Sequence, residues 1–358
     1  MIRIDLALRA ATVATALLMP ALPAKAQTET VTFAVPGAVT LGFAPLTFGE
    51  KGGFFAEEKL KLDVVVLQGS GEILPQIVKG SVLVSMLTPD VLITSRQPGK
   101  PNFPAKFVYN VYRNSFWQIS VLDSSPIKTI ADLKGKTVGV GALTWASGPQ
   151  TKALLRRNKI DPATVTFVAV GSGPAAAEAL RQGRIDALNL FASNNAMIEA
   201  QGTKIRRLAY PADMQQASSH GLIFADKTIK EKPDLVARIG RAHAKGVLGC
   251  HTNPRACLEA FWATYPAQKP RGMDEKAVNN QLAVLKVILD LMTTFNEPGT
   301  ARFGAYKPED FKVAIEALRA GGEIGTAPIS LSSLYTDKFV EEFNKFDRKA
   351  VIDKAKAY

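Results

Sequence analysis

Apolar residues along this chain fall into short runs separated by amphipathic stretches, and the alternation begins at Val31. VTFAVPGA, LDVVVLQGS and VLVSMLT are dense in β-branched and aromatic residues and predict strands, the first ending in the turn former Pro36–Gly37. APLTFGEKGGFFAEEKL, broken near Gly52–Gly53, GEILPQIVKG and PDVLITSRQ carry apolar residues at helical spacing and predict the intervening helices. KFVYNVYRN and FWQISVLDSS follow as two successive extended segments. A second alternating series starts after Ser125–Pro126: TVGVG, TVTFVAVGS and IDALNLFA as strands, with helices from Gly148, over PAAAEALRQG and over SNNAMIEAQG. KIRRLAYPA and SSHGLIFAD predict two further extended segments. From Pro233 the pattern is helical to the end, as in Leu282, Leu285, Ile288 and Leu289.

Repeated strand–helix units predict an α/β fold with mostly parallel sheets and right-handed crossovers. Two separate series predict two lobes, residues 27–115 and 116–211, with residues 212–358 returning to the first and adding C-terminal helices packed on it. The chain then crosses between lobes twice, near Arg113 to Trp117 and near Ala212 to His220, which makes a hinge.

Ligands of such sheets sit beyond the carboxyl ends of strands, so the loops there carry the candidate chemistry. In lobe one these are Pro36 to Ala44 with Phe43, the Gly69–Ser70–Gly71 turn, and Thr88–Pro89–Asp90. Turn geometry alone explains the glycines, and an acidic residue in a helix's first turn alone explains Asp90. In lobe two the stretch LKGKTVGVGALTWAS leads into a helix whose N-terminus suits a small anion, with Thr144 and Ser147 as hydrogen-bonding groups and Trp145 as an apolar wall. Ser147 can equally serve as a helix cap. Phe191 and Asn194 lie on the same rim, where core packing and capping are their ordinary roles.

Residues 1–26, MIRIDLALRAATVATALLMPALPAKA, combine early arginines, an apolar core and a small-x-small end, and predict a cleaved signal peptide. The formal charge of +12 falls to about +10 without that segment, and the basic residues are scattered. This favours acidic ligands over nucleic acid, which would call for basic runs interleaved with aromatics. Two cysteines, Cys250 and Cys257, bracket the helix break at Asn253–Pro254; they form either a disulfide clip or two buried thiols, and export to an oxidising compartment favours the clip. No second ligand pair accompanies them, so no metal and no cofactor are expected.

The first strand leading into APLTFGEKGGFFAEEKLKLDVVV, the IADLKGKTVGV segment, RQGRIDALNLFAS, and GLIFADKTIKEKPDLVARIGRAHAKG followed by NPRACLEAFWATYP resemble the periplasmic substrate-binding proteins of ABC importers for nitrate, sulfonates, taurine and thiamine-pyrimidine precursors. The resemblance covers nearly all of the chain after residue 26. It implies a two-lobed periplasmic binding protein, a monomer, that holds a ligand between its lobes and delivers it to a membrane permease. Matching loops put Phe43, Ala44, Ser70, Gly71, Thr88 and Asp90 on one side of the cleft. Thr144, Trp145, Ser147, Phe191 and Asn194 stand on the other, with Tyr112, Arg113 and His220 at the crossings. The aromatics suggest an organic anion, a sulfonate or carboxylate, rather than nitrate; Arg113 either adds charge to the site or forms a hinge ion pair. VLVSMLTPD lacks the acidic residue that commonly follows the glycine before this strand in the family. The resemblance also implies two alternatives, a protein of thiamine-pyrimidine precursor binding or biosynthesis with the same fold and a soluble receptor for a membrane sensor. An enzyme is disfavoured: no G-x-S-x-G elbow occurs, and His220, His243 and His251 are the only histidines.

Overall fold

The computed structural model describes residues 28–358 apart from 38, 144, 216, 271, 273 and 294–301. The expected signal peptide and the candidate Thr144 lie outside the described residues. The chain opens with β1 (Glu29–Pro36), α1 (Ala44–Lys51), α2 (Phe54–Glu57), β2 (Leu60–Leu67), α3 (Ser70–Lys79), β3 (Val84–Leu87), α4 (Asp90–Thr94) and β4 (Ala105–Tyr112). It continues with β5 (Trp117–Leu122), β6 (Thr137–Val140), α5 (Ser147–Arg157), β7 (Thr166–Ala169), α6 (Pro174–Arg181), β8 (Ala187–Phe191), α7 (Ala192–Ala200), β9 (Ile205–Arg207) and α8 (Ala212–Gln215). The last part holds β10 (His220–Ala225), α9 (Asp226–Glu231), α10 (Pro233–Thr252), α11 (Pro254–Thr264), α12 (Glu275–Met292), α13 (Pro308–Gly321), α14 (Val340–Phe343) and α15 (Arg348–Ala357).

The strands form two five-stranded sheets of matching design, ordered β2-β1-β3-β10-β4 and β7-β6-β8-β5-β9. In the first, β1 runs parallel to β2 and β3, while β10 is antiparallel to both its neighbours. In the second, β6 runs parallel to β7 and β8, while β5 is antiparallel to β8 and β9. The reversed strand in each sheet is the one entered directly from a crossing, which feeds it from the cleft side. Central strands read as mostly apolar runs because both faces are covered: all four residues of β3 are buried, Ser85 included, as are Val31, Phe33, Ala34 and Val35 of β1.

Lobe one has a core on each face of its sheet. Phe33, Phe48, Phe54 and Phe55 pack with α10 and α11 on one side, and Ile73, Leu74, Ile77 and Phe107 pack on the other. The contact of α1 with α10 is close enough that a Cβ on Gly246 would lie 2.4 Å from the Pro45 carbonyl oxygen. Cys250 and Cys257 are bonded, with Cα atoms 5.0 Å apart, and so tie the end of α10 to the start of α11. A charge cluster pins the same helices: Arg241 holds Glu58 in a two-pronged contact (2.9 and 2.8 Å), Lys245 reaches Glu58 at 2.8 Å and Glu57 at 3.1 Å, and Lys354 of α15 reaches Glu57 at 2.7 Å.

The C-terminal helices do more than cover lobe one. Asn280 of α12 donates to the Ala200 carbonyl at the end of α7 (3.2 Å), in lobe two. Helix α13 inserts Phe311, Ile315 and Leu318 into a lobe-one core and packs Val313 and Ala317 against the core of lobe two. Just beyond α13, Glu323 pairs with Lys152 of α5 at 2.8 Å. Both helices therefore straddle the two lobes.

In lobe two, the β6–α5 unit is held from within. Ser147 is the first helical residue, not a cap, and Ala146 before it has no side chain able to cap. The Ser147 carbonyl accepts from Thr151 Oγ1 (2.8 Å) and from Asn189 Nδ2 (3.2 Å), and Asn189 also donates to Thr151 Oγ1 (2.7 Å). The Ser147 hydroxyl is buried with no hydrogen-bond partner.

Three substitutions test these contacts. Glu58→Gln removes the buried anion shared by Arg241 and Lys245, leaving Lys245 with Glu57 and Arg241 with the more distant Glu342, and should cost about 3 kcal/mol by urea unfolding. Burial raises the Glu58 carboxyl, but hydrogen bonds from Arg241 and Lys245 outweigh it and hold the group below its ordinary value of 4.5. Its contribution is thus complete above that value and fades as pH falls through the lower folded-state value, so Glu58→Gln should flatten the acid limb of the stability profile. Ser147→Ala removes an unpaired buried hydroxyl and should change stability by no more than about 1 kcal/mol, in the stabilising direction. Asn189→Ala, which removes the donor to the Thr151 hydroxyl and one of those to the Ser147 carbonyl, should cost about 2 kcal/mol in the same assay.

Candidate functional site

The two crossings lie side by side and are hydrogen-bonded to each other. Ser219 N–H donates to the Tyr112 carbonyl (3.2 Å) and Ser115 N–H to the Gln215 carbonyl (2.9 Å). Ser219 Oγ donates to the Asn114 carbonyl at 3.1 Å. From outside, Asp310 at the start of α13 accepts the Ser218 amide at 3.0 Å and the Lys307 amide at 2.8 Å. Burial pushes the Asp310 carboxyl above the ordinary range, and these amides pull it part of the way back.

An open pocket with roughly 550 Å³ of empty space sits at this junction. Lobe one contributes Thr88 and Asp90, the crossings contribute Ser115, Met214, Ala217, Ser218 and Ser219, and lobe two contributes Trp117, Ala146, Pro149 and Gln150. The remaining wall is apolar and belongs to α13: Val313, Ala314, Ala317 and Leu318. Two polar atoms of the lining, Asp90 Oδ1 and Trp117 Nε1, are buried without a hydrogen-bond partner. Burial raises the Asp90 carboxyl, although Thr88 and its own amide donate to it. A smaller recess of about 190 Å³ shares Pro89 and Ser218 with the pocket and continues toward His220, Asp310 and Tyr306. It depends on Gly221, where a Cβ would sit 1.8 Å from the Tyr306 hydroxyl.

Of the residues expected from the sequence, Thr88 and Asp90 line the pocket. Phe43 and Ala44 are buried in the lobe-one core, with Phe43 edge-on to Phe33 at 6.5 Å. Ser70 and Gly71 begin α3 and line neither cavity. Trp145 and Phe191 stack on each other with ring centres 4.9 Å apart and planes at 9°. They belong to an aromatic cluster in which Trp117 meets Phe191 at 4.9 Å, Phe116 meets His220 at 4.6 Å, and Tyr112 meets His220 at 5.6 Å. Burial pushes the His220 imidazole down to about 3, so it is neutral at physiological pH. Asn194 lies inside α7 with its Oδ1 buried and unpartnered. Arg113 donates to the Arg302 carbonyl (3.2 Å) and feels Asp310, which places it at the hinge outside the pocket lining.

The start of α5 offers less to an anion than its sequence suggests. Gly148 N–H donates to the Trp145 carbonyl (3.3 Å), Pro149 has no N–H, and Gln150 N–H donates to the Ala146 carbonyl (3.1 Å). Among the described residues, no Lys or Arg lines the pocket. Sequence reasoning missed the α13 wall, because nothing in a helix's own spacing says which remote cleft it returns to. It also passed over Ser218 and Ser219, although SSHG directly precedes a strand and so ends a crossing.

Among the described residues, no group of three or more His, Cys, Asp or Glu is placed to hold a metal, and no helix is long and apolar enough to cross a membrane. The chain is 21% identical over 326 residues to the riboflavin-binding protein RibY of Chloroflexus aurantiacus, an alignment covering 90% of this chain and 89% of the relative. Its structure resembles the alkanesulfonate-binding protein SsuA of Xanthomonas axonopodis pv. citri, solved bound to MOPS, with a TM-score of 0.63 at 13% identity, covering 87% of this chain and all of the other. The desulfurization enzyme DSZB shares the fold at a TM-score of 0.53 and 17% identity, over 88% of this chain and 99% of that one. These likenesses establish the two-lobed periplasmic binding protein fold, which serves ligand-binding transport proteins and at least one enzyme. Residues 41–257 match the model of the NMT1/THI5-like family, and the chain belongs to that family.

Proposed function

We propose that this protein is the periplasmic solute-binding component of an ABC importer, working as a monomer that captures a small organic solute between its lobes and passes it to a membrane permease. The observation that carries this reading is the pocket at the crossings, because lobe one, lobe two and α13 each supply a wall. A site divided in this way couples occupancy to lobe position: a solute touching all three walls stabilises the closed arrangement by its differential affinity for it. Export through a cleaved signal peptide, expected from residues 1–26, fits this role.

The organic-anion form of the reading draws on the sulfonate-binding neighbours and on the net charge of +12. The name of the curated relative points instead to a large nitrogen heterocycle. Both solutes have a sizeable organic body, and the apolar residues of α13 suit that common feature. The binding role draws further support from the sulfonate-binding neighbours, although the desulfurization enzyme DSZB shares the fold.

The test is a thermal-shift screen of the exported protein against sulfonates, carboxylates, riboflavin and pyrimidines. A true solute at a hundred times its dissociation constant should stabilise the fold by about 2.7 kcal/mol. Ala317→Trp, which fills the pocket from the α13 side, should abolish that shift while leaving the unliganded melting curve cooperative. A shift that survives Ala317→Trp would place the solute elsewhere.

A further inference from the structure

We infer that Asp90 selects the solute, and that the pocket takes an organic molecule whose apolar body carries a hydrogen-bond-donating nitrogen, as an amine, amidine or amide, in preference to an organic anion. The inference rests on the reading of this pocket as the solute site. Its basis is an account of which polar groups in the lining still have something to give.

Ser218 Oγ spends its proton on Asn110 Oδ1 (2.7 Å), and Ser219 Oγ spends its own on the Asn114 carbonyl (3.1 Å). Each hydroxyl therefore faces any further partner as an acceptor. Ser115 Oγ accepts the Trp117 amide at 3.3 Å and keeps its own proton to give. Asp90 is an acceptor when ionised, and its Oδ1 is buried with no partner. On the donor side stand the Ser115 hydroxyl, the Trp117 indole N–H, also buried and unpartnered, and the Gln150 side-chain amide, whose oxygen also accepts. The amides that an anion would seek at the start of α5 are occupied at Gly148 and Gln150 and missing at Pro149. Arg113 is engaged with the Arg302 carbonyl and the field of Asp310.

The lining thus combines a carboxylate and two hydroxyls committed as acceptors with neutral donors only, since no Lys or Arg stands among its described residues. A sulfonate or carboxylate brings only acceptors and a negative charge, which would face Asp90 across a half-buried space. A nitrogen donor reverses both terms: it satisfies Oδ1, and a cationic one neutralises the carboxylate. A first-turn acid on α4 explains why an acidic residue is tolerated at position 90. It does not explain a carboxylate oxygen buried with no partner beside an open cavity, since a polar group in that state costs free energy until something pairs with it. Trp117 adds one acceptor requirement, so an amide, which carries both, matches the lining most fully.

The test uses three probes of one shape, benzamidine, benzamide and benzenesulfonate, titrated into the exported protein by calorimetry and ligand-observed NMR. Benzamidine and benzamide should bind at least tenfold more tightly than benzenesulfonate. Asp90→Asn, which keeps the shape and removes the charge, should weaken benzamidine at least tenfold and narrow or invert its advantage over the sulfonate. Trp117→Phe provides a second, independent variant and should weaken benzamide more than benzamidine. Preferential binding of benzenesulfonate, blocked by Ala317→Trp, would overturn the inference and leave the site standing. Binding of any probe that persists in Ala317→Trp would overturn the site itself. Failure of both nitrogen probes to bind at millimolar concentration would also overturn the inference.

Discussion

The Asp310 carboxylate, sunk at the start of α13, accepts the amides of Lys307 and Ser218 and thereby fastens a C-terminal helix to one of the two crossings between lobes. Without that attachment α13 would be one more helix on lobe one. With it, the helix is brought against the cleft, its Phe311, Ile315 and Leu318 filling a lobe-one core while Val313 and Ala317 lean on lobe two. The carboxylate is taken out of water to do this, and the two amides repay part of that cost; Asn110, at 3.5 Å from the same carboxylate and 2.7 Å from the Ser218 hydroxyl, extends the contact into β4. One buried acceptor thus fixes the positions of a strand, a crossing and a helix that are far apart in the chain.

What the sequence discloses divides along the same line. Alternation of strand-like and helix-like runs exposes both sheets, because that signal is local and buried central strands are mostly apolar, as in β3, whose single polar residue Ser85 is buried with its hydroxyl on the Ala34 carbonyl. The rule that ligands gather beyond strand ends leads to the loop holding Thr88 and Asp90, which lines the pocket at the crossings. The same rule at β6 overstates Ser147. Serine there reads as a cap or an anion contact, yet the chain uses its backbone carbonyl to join α5 to Asn189 of β8. Nothing in the spacing of hydroxyl residues distinguishes those uses, since the deciding partner is 42 residues away. Arg113 was read either as a site charge or as half of a hinge ion pair, and the contact the structure shows is a hydrogen bond to the Arg302 backbone carbonyl, which no spacing in the sequence announces.

The α13 wall was not legible for a deeper reason. Ala314 and Ala317 are small residues at helical spacing and would suit any close helix contact. Their place in a cavity is set by Asp310, whose partner at Ser218 lies 92 residues earlier. Direction of hydrogen bonding is equally hidden: Ser218 and Ser219 could donate or accept until Asn110 and the Asn114 carbonyl claim their protons. The polarity of the pocket is therefore a tertiary property, written by groups that do not line it.

The aromatic cluster has a practical consequence. The chain contains three tryptophans, and two of them, Trp117 and Trp145, stand in the ring cluster beside the crossings, with centres 6.2 Å apart, while Trp262 is enclosed in the lobe-one core. Indole emission depends on neighbouring rings and on access of water. Trp117, Trp145 and Phe191 all belong to lobe two, so a rearrangement that separates the lobes would change the access of water to Trp117, which lines the pocket, and the contact of neighbouring Phe116 with His220, while Trp262 stays as an internal standard. The protein carries its own optical gauge of cleft position, readable in unlabelled material and on the time scale of mixing.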